Sequence, residues 1–148
     1  MYRRRLLRAI VAVALAGAAF LGALAHVRAG QRASNADYSR CAKACSTCAE
    51  ACRACSRHCA SMIASGMKEH TRTKALSDDN GQICALAARI CARHGPTAAA
   101  ICAACAKSCD ACGAECGKYP TMKPMKDCAA TCASCAKACR DLVKALGG

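Results

Sequence analysis

The chain is 148 residues long and carries a formal charge of +13, 3% aromatic residues, no tryptophan and seventeen cysteines. That length has room for one domain and a leader, and the scarcity of aromatics excludes a conventional large hydrophobic core. Aromatic residues interleaved with basic ones for stacking bases are also missing, which argues against a nucleic-acid binder despite the charge.

The first residues read as a targeting segment. Arg3, Arg4, Arg5 and Arg8 form a positive start, Ala9 through Ala25 is apolar and rich in Ala and Gly, and small residues offer cleavage after Ala29 or Ala25. Arg3-Arg4-Arg5-Leu6-Leu7-Arg8 resembles the twin-arginine export signal, with Leu6 in place of the usual Phe. The stretch is short and weakly hydrophobic for a membrane span. Residues 1–29 are therefore expected to be an export signal, the mature protein periplasmic or otherwise exported, and no membrane contact to persist after cleavage. Removing 1–29 takes away five arginines and no acid, so +13 becomes +8.

Residues 30–37 read as a polar linker and 38–147 as an all-α, up-down-up-down four-helix bundle. The first helix is expected to start near Asn35 or Asp37 as N-cap and to run to Ser65, stopped by Gly66. Its cysteines are Cys41, Cys45, Cys48, Cys52, Cys55 and Cys59, alternately four and three apart. That spacing is the seam of a helix packed on other helices, with cysteine where leucine would normally sit. The second helix starts between Met67 and Asp79, with Ser77-Asp78-Asp79 as an internal cap or kink, and ends at His94-Gly95-Pro96. It carries Cys84 and Cys91 and an apolar stripe of Ile83, Leu86 and Ile90 expected to supply ordinary packing. The third runs from Pro96 or Thr97 to about Gly117 with Cys102, Cys105, Cys109, Cys112 and Cys116. A loop with Tyr119, Pro120 and Pro124 leads to the fourth, from Met122 or Met125 to Leu146, with Cys128, Cys132, Cys135 and Cys139.

With a core of Ala, a few Leu and Ile, and cysteines acting as small hydrophobes, the empty protein should be modestly stable. Metal would then supply folding free energy that packing does not. Residues four apart on a helix have Cβ atoms about 5–6 Å apart. Two sulfurs on one metal lie about 4.5 Å apart when each bond is about 2.3 Å. A C-x-x-x-C pair can thus close on a two-coordinate soft ion, which suits Cu(I). With bridging sulfurs the load would reach on the order of a dozen or more ions. Scattered basic residues (Lys43, Arg53, Arg57, Lys107, Lys137, Arg140) are expected to offset interior thiolates.

Other cysteine chemistries fit less well. Zinc needs four ligands in a tetrahedron and could bind only across helices. Iron–sulfur ligation expects one compact set of four. Disulfides are the ordinary use of cysteine in an exported chain, but the count is odd and same-helix neighbours do not readily adopt the disulfide dihedral. A redox C-x-x-C needs an exposed thiol at a helix N-terminus. No haem-attachment, carboxylate di-iron or nucleophile–base constellation is present, so no enzyme is expected.

The topology gathers His58, Met62, Met67, His70, Met122 and Met125 at one end and Tyr38, His94, Pro96, Leu142 and Leu146 at the other. The first end reads as soft and metal-binding, with thioethers that hold Cu(I) weakly at a mouth; the second reads as plugged. We count His58, Met62, Met67, His70 and Met125 with the seventeen cysteines as candidate metal ligands.

These residues resemble the copper storage proteins, four-helix bundles that fill a cysteine-lined core with Cu(I). The likeness covers roughly residues 35–146 and is closest to the exported branch. Cys55-Ser56-Arg57-His58-Cys59-Ala60-Ser61-Met62-Ile63 is similar to that branch's C-x-R-H-C-x-x-M-L segment. Cys102-Ala103-Ala104-Cys105-Ala106-Lys107-Ser108-Cys109, Lys118-Tyr119-Pro120 and the Cys128–Cys139 run resemble its third and fourth helices. The resemblance implies that His58 and Met62 act at the open end, that the protein forms a homotetramer, and that stored copper goes to a recipient copper enzyme. Two further mouth methionines expected by that likeness are Ser65 and His70 here. Extra thiols in the first helix and at Cys84 and Cys91 imply a larger capacity.

Overall fold

A computed structural model of the protein describes residues 33–148; the expected export signal (1–29) and residues 30–32 of the expected linker lie outside the described residues. Helix α1 (Asn35–Ala64) begins with a reciprocal cap. The Asp37 amide donates to the Ser34 hydroxyl at 3.2 Å, and the Ser34 amide donates to the Asp37 carboxylate at 2.9 Å. The N-cap is therefore Ser34, one residue before the predicted Asn35, and Asp37 is its partner in the third helical position. Residues 35–37, expected as linker, are helical. Past Ser65 the chain turns at Gly66, whose φ is 96°.

A single 3-10 turn, Lys68–His70, leads into α2 (Thr71–Ala92). Ser77-Asp78-Asp79 neither caps nor interrupts it, the Ser77 and Asp78 side chains being engaged with other partners. The Ser77 hydroxyl lies 3.8 and 3.9 Å from the Cys112 and Cys116 sulfurs, and Asp78 accepts from Ser56 of α1 and from Lys74. Helix α3 is Ala98–Cys116. Pro96 stands in the turn before it rather than in its first turn. Helix α4 (Lys123–Ala145) includes Pro124 in its first turn, where a missing N–H leaves no intrahelical bond unmade.

Each helix packs on its neighbour in sequence and α4 closes on α1, while the diagonal pairs stay apart. The alternation of direction shows at one end. Cys41, early in α1, meets Cys91 late in α2, Cys102 early in α3 and Cys139 late in α4 at 3.6–3.8 Å. This is the expected up-down-up-down bundle, and among the described residues there is no strand and no helix long and apolar enough to cross a membrane.

Two packing expectations fail. Leu86 is 40% exposed, so the Ile83-Leu86-Ile90 stripe is not the buried face of α2. That face is Thr73, Ser77, Asn80, Cys84, Ala87 and Cys91, with Ile90 beside it. The basic residues expected to offset thiolates are all exposed, and some pair with acids outside, as in Lys137 with Asp141 at 2.7 Å and Arg140 with Asp110. Long cationic side chains keep their heads in water, and among the described residues no lysine or arginine is buried.

Each end carries a ring pair. Tyr38 stacks on His94 with centroids 4.3 Å apart, and His94 has a left-handed φ of 53°. Leu142 is buried at this end, whereas Leu146 is exposed. At the other end His70 packs against Tyr119 at 4.6 Å.

A buried carboxylate ties α2 to α3 near that second end. Glu115, only 6% exposed, accepts from Arg72 at 3.2 Å, Thr73 at 3.5 Å and Lys118 at 2.7 Å. The Lys118 hydrogen bond first, then the charges of Lys118 and Arg72, hold its carboxyl below the usual range against the effect of burial. A depressed folded value stabilises the fold above the unfolded glutamate pKa of about 4.3, and that contribution is lost as pH falls through the folded value. Glu115→Gln should therefore cost about 1 kcal/mol near pH 6, with the gap to wild type closing toward pH 3, as read from urea midpoints of the metal-free reduced protein across that range.

Candidate metal centre

The alternating register on α1, α3 and α4 turns every cysteine of those helices toward the axis, and Cys84 and Cys91 do the same from α2. All seventeen are buried and free. Within one helix Cys41/Cys45 and Cys48/Cys52 lie 4.0 and 3.9 Å apart. The closest approaches, however, run between helices: 3.3 Å for Cys91/Cys102, 3.5 Å for Cys45/Cys139 and Cys84/Cys105, and 3.6 Å for Cys48/Cys132 and Cys52/Cys128. These separations are well beyond a disulfide bond of about 2.05 Å. The unit of the core is thus a layer drawn from several helices rather than the expected C-x-x-x-C pair.

Five such layers follow one another along the axis. They are Cys41/Cys91/Cys102, then Cys45/Cys105/Cys135/Cys139, Cys48/Cys84/Cys109/Cys135, Cys52/Cys112/Cys128/Cys132, and Cys55/Cys116/Cys128, the sulfurs of each lying within 4.8 Å of one another. Cys135 belongs to the second and third layers and Cys128 to the fourth and fifth, so these are joined in pairs. A three-coordinate ion with bonds of about 2.3 Å spaces its sulfurs about 4.0 Å apart, which these layers match with little movement. Soft thiolate sets of this kind favour soft and borderline ions, Cu(I) foremost where the ion is three-coordinate.

Charge argues the same way. With no lysine or arginine inside, seventeen deprotonated thiols are balanced only by protons or by metal. A monovalent ion for each cysteine leaves the axis neutral, whereas each isolated four-thiolate zinc site carries two negative charges into a medium that penalises them.

Protons are unevenly held in the empty core. Cys55 is lowered to about 3, chiefly by its hydrogen bond with Cys116, and Cys41 to about 5, chiefly by Cys102. Cys59 is pushed up to about 12 by burial and then by the charge of Cys55, and Cys91 to about 12 by its hydrogen bond with Cys102. Thiolates that accept S–H bonds therefore sit beside thiols that keep their protons.

At the mouth, Cys59 stands beyond the last layer. His58 has its Nε2 buried without a hydrogen-bond partner, and so does His70 at Nδ1. His70 is 1% exposed and Met125 fully buried, while Met62 and Met67 are half-buried and Met122 packs against the core. The predicted mouth residues are thus more enclosed than side chains on an open rim. Three buried residues of α2 were overlooked by the spacing argument: Asn80 and Ser77, which touch sulfurs, and Thr73, which bonds Glu115. The signal for them was present, since steps of four, three and four back from Cys84 land on each in turn.

Residues 34–144 match the family described as "Copper storage protein". The chain belongs to the copper storage protein family. A Cu(I)-bound copper storage protein, BsCsp3, is 36% identical over 72% of this chain and 98% of that one, with a TM-score of 0.66. A double histidine-to-alanine variant of Streptomyces lividans Ccsp is 31% identical over 76% and 98% of the two chains, with a TM-score of 0.69. A cytosolic copper storage protein from Streptomyces lividans carrying five coppers is 32% identical over 77% and 95%, at a TM-score of 0.67. No curated protein matches the chain.

Metal can replace a proton at Cys59 and Cys91 only by displacing it, whereas Cys41 and Cys55 are already ionised at neutral pH. Cu(I) retention by the raised thiols should weaken about tenfold per unit fall in pH for each proton displaced, and the lowered ones should add no slope above pH 6. Chelator competition between pH 6 and 8, corrected for the chelator's own protonation, measures this.

Proposed function

We propose that this protein is a store of Cu(I), holding many ions on the cysteine thiolates of its bundle axis for later supply to copper enzymes. The observation that carries the reading is the continuous run of buried sulfurs, each within 4.0 Å of another from Cys91 to Cys112. An enzyme needs an open coordination position or a substrate cleft. A storage role needs neither.

Ions enter and leave at the His58 end. Met62 and Met67 offer thioethers there, and the unpartnered Nε2 of His58 and Nδ1 of His70 offer imidazole donors, with Met125 behind them. From that mouth an ion passes to Cys59 and then from layer to layer by exchange between adjacent sulfurs. Further readings rest on sequence and resemblance: export through the twin-arginine route to the periplasm, a homotetrameric assembly, and a recipient copper enzyme. The Arg3–Arg8 run supports export, since that route carries folded cargo with its thiols already buried. The competing reading is a detoxifying buffer or a donor to one docking partner. A donor would hold one or two labile ions, whereas a store fills many sites of similar affinity.

Anaerobic Cu(I) titration of the reduced protein against a competing chelator decides between them. We expect a plateau on the order of one ion per cysteine, and a plateau at one or two would reject storage. The mouth has its own check. A His58→Ala/Met62→Ala double variant should load about tenfold or more slowly in stopped flow while losing at most a few ions of capacity; unchanged loading would place the mouth elsewhere.

A further inference from the structure

One layer receives more nitrogen and oxygen donors than any other. In Cys52/Cys112/Cys128/Cys132 the sulfurs come from α1, α3 and α4, and α2 contributes polar groups instead of a thiol. Asn80, fully buried, donates its amide N–H groups to Cys52 and Cys132, both at 3.3 Å. Cys84 donates to the Asn80 carbonyl oxygen at 3.7 Å, which turns the NH2 end toward this layer. The Ser77 hydroxyl lies 3.8 Å from Cys112. Three of the four sulfurs thus meet a nitrogen or oxygen donor group. The layer of Cys45, Cys105, Cys135 and Cys139 meets none in the structure.

The backbone is tightened at the same level. A Cβ on Gly81 would lie 3.5 Å from Cys52 Cβ, and one on Gly113 would lie 3.2 Å from Cys132 Cβ. Glycine inside a helix is less favourable than alanine. At Gly113 it lets α3 close on Cys132, whereas a Cβ at Gly81 would make only ordinary contact with Cys52.

We propose that Cys52, Cys112, Cys128 and Cys132 form a discrete tetrahedral site for a divalent d10 ion, zinc, in the copper-free protein, with Asn80 and Ser77 as its hydrogen-bonding shell. A tetrahedral ion with bonds of about 2.3 Å places its sulfurs about 3.8 Å apart. Cys52/Cys128 at 3.6 Å and Cys112/Cys128 at 3.9 Å bracket that value. The dianionic charge of a four-thiolate zinc centre is what makes such a site costly to bury, and N–H and O–H donors to the sulfurs offset it most fully at this layer. The neighbouring layers receive only one longer contact each, Asn80 to Cys48 at 3.8 Å and Ser77 to Cys116 at 3.9 Å. Binding is acid–base chemistry without electron transfer: four thiols lose four protons to solvent as four metal–sulfur bonds form. Incoming Cu(I) takes the same sulfurs and releases the divalent ion. The zinc holds one layer in the reduced, assembled state until copper arrives, and it stands independently of the storage reading.

Cobalt(II) reports the site. Added anaerobically to the reduced full chain without copper, it should give tetrahedral ligand-field bands with thiolate-to-cobalt charge transfer, saturating at one equivalent and bleached by one equivalent of zinc. Asn80→Leu, with helicity checked by circular dichroism, should weaken cobalt and zinc about tenfold or more, and Cys112→Ser should abolish the tetrahedral spectrum. Ser77→Ala, which only deletes a hydroxyl oxygen and adds no bulk to the core, should weaken binding in the same direction and serves if Asn80→Leu does not fold. Saturation at several equivalents of equal affinity, spectra without thiolate charge transfer, or undiminished affinity in folded Asn80→Leu or Ser77→Ala would overturn the proposal. Because no copper is present, those results leave the storage reading untouched.

Discussion

The whole structure depends on an axis that is lined with sulfur and contains no positive side chain. Seventeen thiols are buried along it, and every lysine and arginine among the described residues stays in contact with water. Such an axis is electrically acceptable wherever most of its thiols carry either a proton or a metal ion. States with many bare thiolates are excluded by desolvation. Cu(I) exchanges for a proton without changing the charge, so filling can proceed one ion at a time with no counter-charge brought in. This is why the protein accommodates many ions without the cationic interior that the composition led us to expect.

Small side chains make that exchange mechanically possible. Cysteine and alanine dominate the buried positions, and the diagonal helices stay apart. A leucine-filled seam would close the axis and leave no room for an ion between layers. The cost is weak packing. Fewer methylene groups leave water than in an ordinary bundle of this size, so specific ties such as the Ser34–Asp37 cap and the Glu115 ion pairs matter more than they would elsewhere. Metal–sulfur bonds crossing between helices then supply the cohesion that the side chains lack.

Three helices were legible from spacing alone, because four-three alternation of a single residue type is an unusually clean signal. Their limits fell within a few residues of expectation, and the sulfurs converge as the register requires. Two things were hidden. One was the partnership between sulfurs. Spacing within a chain shows only same-helix pairs, whereas the layers depend on how four helices are set along one another, as with Cys41, Cys91 and Cys102. The other was α2. Its register is the same, but Thr73, Ser77 and Asn80 occupy it in place of cysteine, and polar residues at seam positions look like surface. Ser77-Asp78-Asp79 resembled a cap for that reason, and Leu86 looked like core because leucine usually is. Ser77 and Asn80 on α2's buried face are polar because their partners are thiols, which accept and donate hydrogen bonds as leucine cannot.

That exchange of residue types on α2 is the clearest division of labour in the bundle. α1, α3 and α4 supply fifteen of the seventeen cysteines and set capacity. α2 adds two and uses its other seam positions to decide the environment in which particular sulfurs sit. Replacing a thiol by an amide removes one ligand but supplies donors to two neighbouring sulfurs, as Asn80 does for Cys52 and Cys132. The layers therefore differ in how well they hold a divalent ion even though their first ligands are chemically identical. A core of repeated thiols gains site individuality from the one helix that departs from the repeat. The seam of α2, more than the cysteine count, is then where two members of such a family with equal capacity would differ in what they hold and how readily they release it.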